Sequence, residues 1–228
     1  MLSVIIPVLN EASEIRAALL ALQALRSAGN EIIVADGGST DATRDLARDL
    51  ADAIIDSPRG RAMQMNAAAR NARGDILVFL HADTVLPDAA APLIADGLGA
   101  SGKVWGRFDA RIAGASAWFP VVGFMMNWRS RITGIASGDQ AIFVRRAVFE
   151  QIGGFPPLPL MEDIALSARL KRRSRPLCLR EQVATSGRRW ERHGVLRTVA
   201  LMWWLRLRYF FGASPADLAR RYYRGEGK

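Results

Sequence analysis

Three short polar segments carry carboxylates where they could do chemistry: Asn10-Glu11, Asp36-Gly37-Gly38-Ser39-Thr40-Asp41 and His81-Ala82-Asp83. Each follows an apolar run, at residues 3–8, 31–35 and 75–80 respectively. A carboxylate such as Asp36 can accept hydrogen bonds from a base N–H or a ribose hydroxyl. A carboxylate such as Asp83 suits a hard cation, because Mg²⁺ and Mn²⁺ take carboxylate oxygen together with phosphate oxygens and water. Ser57-Pro58-Arg59-Gly60-Arg61 precedes a helical pattern, and a helix N-terminus beside arginine attracts anions. Glu162-Asp163 opens another helical pattern and offers a general base for a hydroxyl proton. Each feature also has a plain structural reading: a helix start, a glycine turn, a surface loop, or acids complementing a helix dipole. What favours chemistry is the number of acid-bearing segments that must meet at one edge.

That edge follows from the elements. Residues 3–8, 31–35 and 75–80 are continuous apolar runs, as expected of strands buried on both faces, with a shorter strand at 53–56. Between them, 11–27, 41–50 and 60–72 have helical character, and Ile15, Leu19, Leu22 and Leu25 share one face. Ser39 or Thr40 is expected to cap the second of these helices. Alternating buried strands and helices mean an α/β fold with a mostly parallel, Rossmann-like sheet. Ligands bind such sheets outside the carboxyl ends of the strands, where the three acidic segments lie. Further along, 104–112 and 141–145 read as strands. Residues 162–173 read as a helix with Ile164, Leu166 and Leu170 inward, and 195–211 as a strongly apolar helix containing Arg197, Arg206 and Arg208. A short basic helix follows. Residues 1–194 are expected to form the catalytic domain. Residues 195–228 are expected to form a helical extension packed on it or lying at a membrane interface.

Composition bounds the alternatives. The chain has 228 residues and half are apolar, enough for one large core. The single cysteine, Cys178, excludes an intrachain disulfide and a cysteine zinc site. The opening Met1-Leu2-Ser3-Val4 lacks the basic stretch of a secretory signal, so a cytoplasmic location is expected. The uncharged run 112–128 contains Pro120 and is short for a span, which makes it a buried or interfacial segment. The net charge is +9, and only Lys103, Lys171 and Lys228 of the basic residues are lysines. Such a balance suits phosphate-bearing substrates, an anionic membrane surface or nucleic acid. Nucleic acid is set aside, because the arginines are spread along the chain and no binding motif accompanies them.

Taken in order, these segments resemble the family 2 glycosyltransferases of the GT-A fold. The residues that carry the resemblance are Ser3 to Glu11, Val34 to Asp41, Ala69-Arg70-Asn71-Ala72-Arg73-Gly74-Asp75, His81-Ala82-Asp83 and Glu162 to Leu166. The resemblance implies a nucleotide-diphosphate sugar donor of the UDP or GDP type. Pro7, Glu11 and Asp36 would hold base and ribose, with Arg61 near the nucleotide. Asp83 would be the ligand of Mg²⁺ or Mn²⁺, closing the family's Asp-x-Asp motif. Asp163 would be the base of an inverting transfer. His81 replaces the first acid of that motif on the donor side, which leaves strict metal dependence open. The segment Ser186 to Gly194 is similar to the Arg-Trp element of processive relatives. By that analogy Arg189 would grip the diphosphate and Trp190 would line the acceptor side; Glu162 and Asp139 are separately expected on the acceptor side. The whole length also resembles a small bacterial subgroup described as radical-SAM/selenodomain-associated transferases.

Two further expectations concern partners. The acceptor is a hydroxyl compound that the sequence does not name. The aromatic and arginine content of 202–211 suits either a helix docked on the sheet's flank or peripheral contact at the inner face of the membrane. A membrane contact would suit a lipid-linked acceptor. The alternative to an enzyme is a non-catalytic nucleotide-sugar-binding or membrane-surface-binding protein, which would need no base at Asp163.

Overall fold

The structure is a computed structural model and describes residues 1–223, apart from the side chain of Arg189. The first half alternates regularly: β1 (Leu2–Val8), α1 (Ile15–Ala21), α2 (Gln23–Ser27), β2 (Glu31–Asp36), α3 (Thr43–Ala47), β3 (Ala53–Asp56), α4 (Arg61–Asn71) and β4 (Ile76–Phe79). The second half is less regular. It holds β5 (Thr84–Val85), α5 (Ala90–Ser101), β6 (Trp105–Ala113), α6 (Phe119–Thr133), a 3-10 turn (Gly138–Gln140), β7 (Ile142–Arg145) and α7 (Arg146–Gln151). The chain then runs through α8 (Glu162–Lys171), β8 (Leu177–Ser186), α9 (Arg188–His193), α10 (Val195–Phe210) and α11 (Pro215–Tyr223).

The strands form one sheet in the order β3-β2-β1-β4-β7-β6-β8-β5. β1 pairs in parallel with β2 and β4, β2 with β3, and β6 with β8, whereas β7 and β5 run antiparallel to their neighbours. Val4, Ile5 and Ile6 are fully buried, as are Ile32, Ile33 and Val34, because successive side chains enter opposite core layers. Full burial of each such side chain contributes roughly 1.5–3 kcal/mol. Register brings Val8 beside Asp36 and Asp36 beside Asp56, so the β1 and β2 loops leave the sheet together.

The sheet depends on close approach at two glycines. A Cβ on Gly74 would lie 2.7 Å from the Ser3 backbone nitrogen, and one on Gly106 would lie 2.4 Å from the Leu177 carbonyl oxygen. Between β6 and α6 sits a buried polar knot. Arg107 is fully buried and bonded to Asp109, donating to Ser130 Oγ at 3.1 Å and to the Asn127 carbonyl at 3.0 Å. Asn127 in turn bonds both the N–H and the carbonyl of Ala110.

Several local expectations change. α3 begins after Ala42 with no side-chain cap: the Ser39 hydroxyl donates to Asp36 instead, at 2.5 Å. Asp41 accepts from the Thr43 N–H at 3.0 Å, a local turn competing with the cap. The run at 112–128 divides into the end of β6 and most of α6. Among the described residues, no helix is long and apolar enough to cross a membrane. α5 and β8 carried weak signals. The helix holds Pro92, Gly97 and Gly99, and the strand is interrupted by Arg180-Glu181-Gln182, where its register against β6 shifts.

Candidate active site

A cavity of about 290 Å³ opens at the carboxyl ends of β1 and β4. Pro7 and Glu11 reach it from the β1 loop, Arg61 from the start of α4, and His81 and Asp83 from the loop after β4. Asp139 comes from the 3-10 turn, Glu162 and Asp163 from the start of α8, and Trp190 from α9. Nine residues singled out in the sequence therefore line one space. A neighbouring cleft of about 640 Å³ shares Pro7, Glu11 and Arg61 and continues along Arg59, Gly60 and Gln64.

The backbone is bent to make this site. Asn10, Ala141 and Met161 are the non-glycine residues with positive φ, at 56°, 46° and 69° among the described residues. Asn10 lies in the β1 loop, Ala141 ends the 3-10 turn, and Met161 immediately precedes Glu162. Such strain persists where surrounding contacts over-determine it, and it clusters at functional sites.

Asp163 is held by two backbone N–H groups. Its Oδ2 accepts the Gly138 N–H at 2.8 Å and its Oδ1 accepts the Ile164 N–H at 2.7 Å. These bonds fix its orientation and tie α8 to the turn bearing Asp139. Glu162 beside it is buried, and its carboxyl is pushed upward first by burial and then by the charge of Asp163, with Arg61 opposing. Arg61 touches the solvent of the cavity yet has protein packed around it. Burial disfavours its charge, but Glu162, Asp139 and Asp163 outweigh that and keep the guanidinium cationic.

His81 Nδ1 stands 3.4 Å from Asp139 Oδ1. On its other side it packs against Gly138, where a Cβ would come within 2.5 Å of Nε2. Burial raises the Asp139 carboxyl, but the His81 hydrogen bond and the charges of Arg61 and Arg206 bring it below its ordinary value. Thus the residue in the first Asp-x-Asp position keeps a carboxylate partner, recruited from a distant turn.

No group of three or more histidine, cysteine or acidic side chains able to hold a metal occurs among the described residues. Asp83 lines the cavity, while His81 Nδ1 faces Asp139. One carboxylate fits a Mg²⁺ or Mn²⁺ ion whose other ligands are diphosphate oxygens and water. It does not fit an ion caged by protein alone.

Asp36 lies apart from this cavity. It is 1% exposed, accepts bonds from the Ser39 hydroxyl and N–H, and pairs with Arg44 at 3.0 Å. Burial raises its carboxyl, but those hydrogen bonds and Arg44 bring it below the usual range. A cleft of about 320 Å³ beside it is lined by Leu9, Asn10, Gly37, Gly38, Thr40 and Arg59. The Arg189 side chain lies outside the described residues. Arg188, its neighbour, lines the cavity and pairs with Glu14. Arg206, Thr198 and Tyr222 also line it, so α10 and α11 complete the wall. Leu205, Leu218 and Tyr222 pack against Leu160 and Met161. Arg206 was visible as a charge in an apolar helix, but nothing in the sequence aimed it at this space.

The Glycosyl transferase family 2 pattern matches residues 3–153. The chain belongs to that family. This family 2 member is 36% identical over 94 residues to the succinoglycan biosynthesis protein ExoA of Rhizobium meliloti (strain 1021), covering 37% of this chain and 28% of that protein. Its fold is similar to that of S. aureus TarS 1–349 in complex with UDP-GlcNAc. The TM-score is 0.66 at 19% identity, covering 81% of this chain and 58% of that one. The mannosyltransferase PcManGT from Pyrobaculum calidifontis, in complex with GDP-Man and Mn²⁺, matches with TM-score 0.60 at 22% identity, over 80% of this chain and 56% of that one. Glucosyl-3-phosphoglycerate synthase from Mycobacterium tuberculosis, with Mn²⁺, UDP and glucosyl-3-phosphoglycerate, matches with TM-score 0.58 at 18% identity, over 81% and 70%. At these identities the likeness to solved structures is one of fold, and the fold is the GT-A architecture. The chain spans 28% of the curated relative and 58% of the TarS chain.

Proposed function

We propose that this family 2 protein transfers a sugar from a nucleotide-diphosphate sugar, of the UDP or GDP type, to a hydroxyl acceptor by a single inverting displacement. The observation that carries the reading is the Asp163 carboxylate, fixed by two backbone N–H groups and facing the same cavity as Asp83, Arg61 and Arg188. A base and a phosphate-binding set across one space are what a displacement at an anomeric carbon needs.

Asp163 takes the acceptor's hydroxyl proton as that oxygen bonds to the anomeric carbon. The bond from that carbon to the diphosphate breaks, and the diphosphate leaves with the electron pair. Pro7, Glu11 and the cleft beside Asp36 hold base and ribose, with Asp36 fixing the loop. Arg61 and Arg188 face the diphosphate, and Arg189 joins them in this reading. Asp83 would hold a Mg²⁺ or Mn²⁺ ion, whose charge would stabilise the departing diphosphate. His81 lies on the donor side and orients Asp139, while Glu162, Asp139 and Trp190 shape the acceptor side. Residues 1–194 carry the catalytic groups, and α10 and α11 of the 195–228 extension close the cavity, residues 224–228 lying outside the described residues. A cytoplasmic enzyme of the radical-SAM/selenodomain-associated subgroup, working on a lipid-linked acceptor at the inner face of the membrane, is the version that best fits the basic, aromatic α10.

The test is thermal melting against nucleoside diphosphates, each with and without Mn²⁺. A ligand that binds only the native state raises Tm by mass action, equivalent to about 2.7 kcal/mol at a hundredfold excess over Kd. One nucleotide is expected to raise Tm, more strongly with Mn²⁺, and Asp83→Asn is expected to remove the metal-dependent part. No shift with any nucleotide would overturn the donor site. An undiminished metal-dependent shift in Asp83→Asn would overturn the role of that carboxylate.

A further inference from the structure

Two helices bordering the catalytic cavity are each packed on one side and bare on the other. α6 turns Phe119, Gly123, Asn127 and Ser130 inward against the sheet. Its other side leaves Val121, Phe124, Met125, Trp128 and Ile132 exposed, with Trp118 just before it. The spacing 118, 121, 125, 128, 132 is one continuous helical stripe. α10 buries Thr198 and Leu205, and Trp204 packs beneath the Arg221 guanidinium at 4.4 Å. Its bare side carries Leu196, Trp203, Leu207 and Phe210, and Phe210 is 82% exposed. Both helices reach the cavity, α6 through Met126 and α10 through Met202, Leu205 and Arg206. Arg129 of α6 lies close enough to Arg206 that burial and this like charge pull it down to about 10.

Soluble surfaces seldom leave this much apolar area bare without a partner. Charge selects the partner. Neither helix carries an acid; α10 leaves Arg197 and Arg208 exposed beside its bare face, while Arg129 and Arg131 of α6 turn inward, Arg129 to the Ile135 carbonyl and Arg131 to Asp109. Two α10 faces from separate copies would meet with like charge. Aliphatic side chains such as Val121, Ile132, Leu196 and Leu207 offer no stacking surface to nucleotide bases. Exposed tryptophan, phenylalanine and aliphatic groups interleaved with arginine match a bilayer interface, where rings enter the headgroup layer and guanidinium groups meet lipid phosphates. Neither helix can cross a membrane, so both would lie along it.

We propose that the bare faces of α6 and α10 dock on an anionic lipid bilayer, which brings the cavity mouth between them to the membrane surface. The inference extends the proposed reading of the cavity by naming what its two flanking helices touch. Its test reads lipid binding separately from nucleotide binding.

The experiment is co-sedimentation of the full chain with vesicles of phosphatidylglycerol and phosphatidylcholine in equal parts, against phosphatidylcholine alone. Wild type is expected to pellet with the anionic vesicles and to be released by salt. Phe124→Ser/Trp128→Ser and Leu207→Ser/Phe210→Ser should each lower the partition coefficient at least about tenfold. The nucleotide-induced melting shift reports the fold of each variant. Where a serine pair loses that shift, Arg197→Gln/Arg208→Gln replaces it, keeps the apolar face, and should selectively weaken binding to anionic vesicles. Failure of wild type to bind anionic vesicles would overturn the proposal. So would equal binding by wild type and every folded variant. A concentration-dependent dimer in sedimentation velocity that the serine pairs dissolve would assign the face to a second copy and overturn the bilayer.

Discussion

Replacing Asp163 by asparagine removes one charge and one hydrogen-bond acceptor while keeping the shape of the side chain. The carboxylate accepts two backbone N–H groups, at 2.8 Å from Gly138 and 2.7 Å from Ile164. An asparagine can offer its single oxygen to one of them and must turn an NH₂ toward the other. One charge-assisted bond is therefore lost, at a cost of about 2 kcal/mol. For a chain of this size each 1 kcal/mol moves Tm by roughly 2–4 °C, so a fall of about 4–8 °C is expected. The variant stays folded at room temperature, where a general base is worth about 10²–10⁴ in rate. The assay is release of nucleoside diphosphate from the sugar donor identified by melting, supplied with a total lipid extract as acceptor. Turnover should fall by roughly a thousandfold, while the nucleotide melting shift persists. Turnover within tenfold of wild type, with the expected loss of Tm, would refute the assignment of Asp163 as base and leave it a structural link between α8 and the 3-10 turn.

Other perturbations test the surrounding argument. Asp36 has its folded pKa below the ordinary value despite burial, because of Ser39 and Arg44, so its stabilisation is present above the ordinary carboxylate pKa and is lost as pH falls through the folded value. Asp36→Asn should cost about 1–3 kcal/mol near neutral pH and flatten the acid limb of the Tm–pH curve; an unchanged acid limb would count against the pairing with Arg44. Glu162 is raised by burial and by Asp163, the opposite sign, so its contribution is full below the ordinary pKa and is lost as pH rises through the folded value. Glu162→Gln should therefore melt above wild type near neutral pH, with the gap closing on acidification; a gap that widens in acid would reverse the assignment. Gly106→Ala places a Cβ 2.4 Å from a backbone oxygen of β8, and a loss of about 1–3 kcal/mol or more in denaturant unfolding is expected. Wild-type stability in that variant would mean β6 and β8 can separate freely.

The sequence by itself determined the first half of the fold and the sheet edge at which the candidate site lies. Apolar runs such as Ile5-Ile6 and Ile32-Ile33-Val34 tolerate only strands buried on both faces, and parallel strands place their carboxyl ends together. Pro7, Glu11, His81 and Asp83 could be brought to one edge on that basis alone. Local rules also located Glu162 and Asp163 at a helix start. What those rules could not supply was anything depending on contacts between distant segments. The pairing of His81 with Asp139 joins residues far apart in sequence, and the Gly138 N–H that holds Asp163 belongs to a turn with no signal of its own. The burial of Asp36 and its contacts with Arg44 and Ser39 likewise depend on how the loop after β2 folds back. β8 was concealed by three polar residues that β6 accommodates with a register shift. Only the tertiary structure decided that α10 and α11 close the cavity and that α6 leaves a stripe bare, since burial belongs to a neighbour's position and not to the residue that is covered.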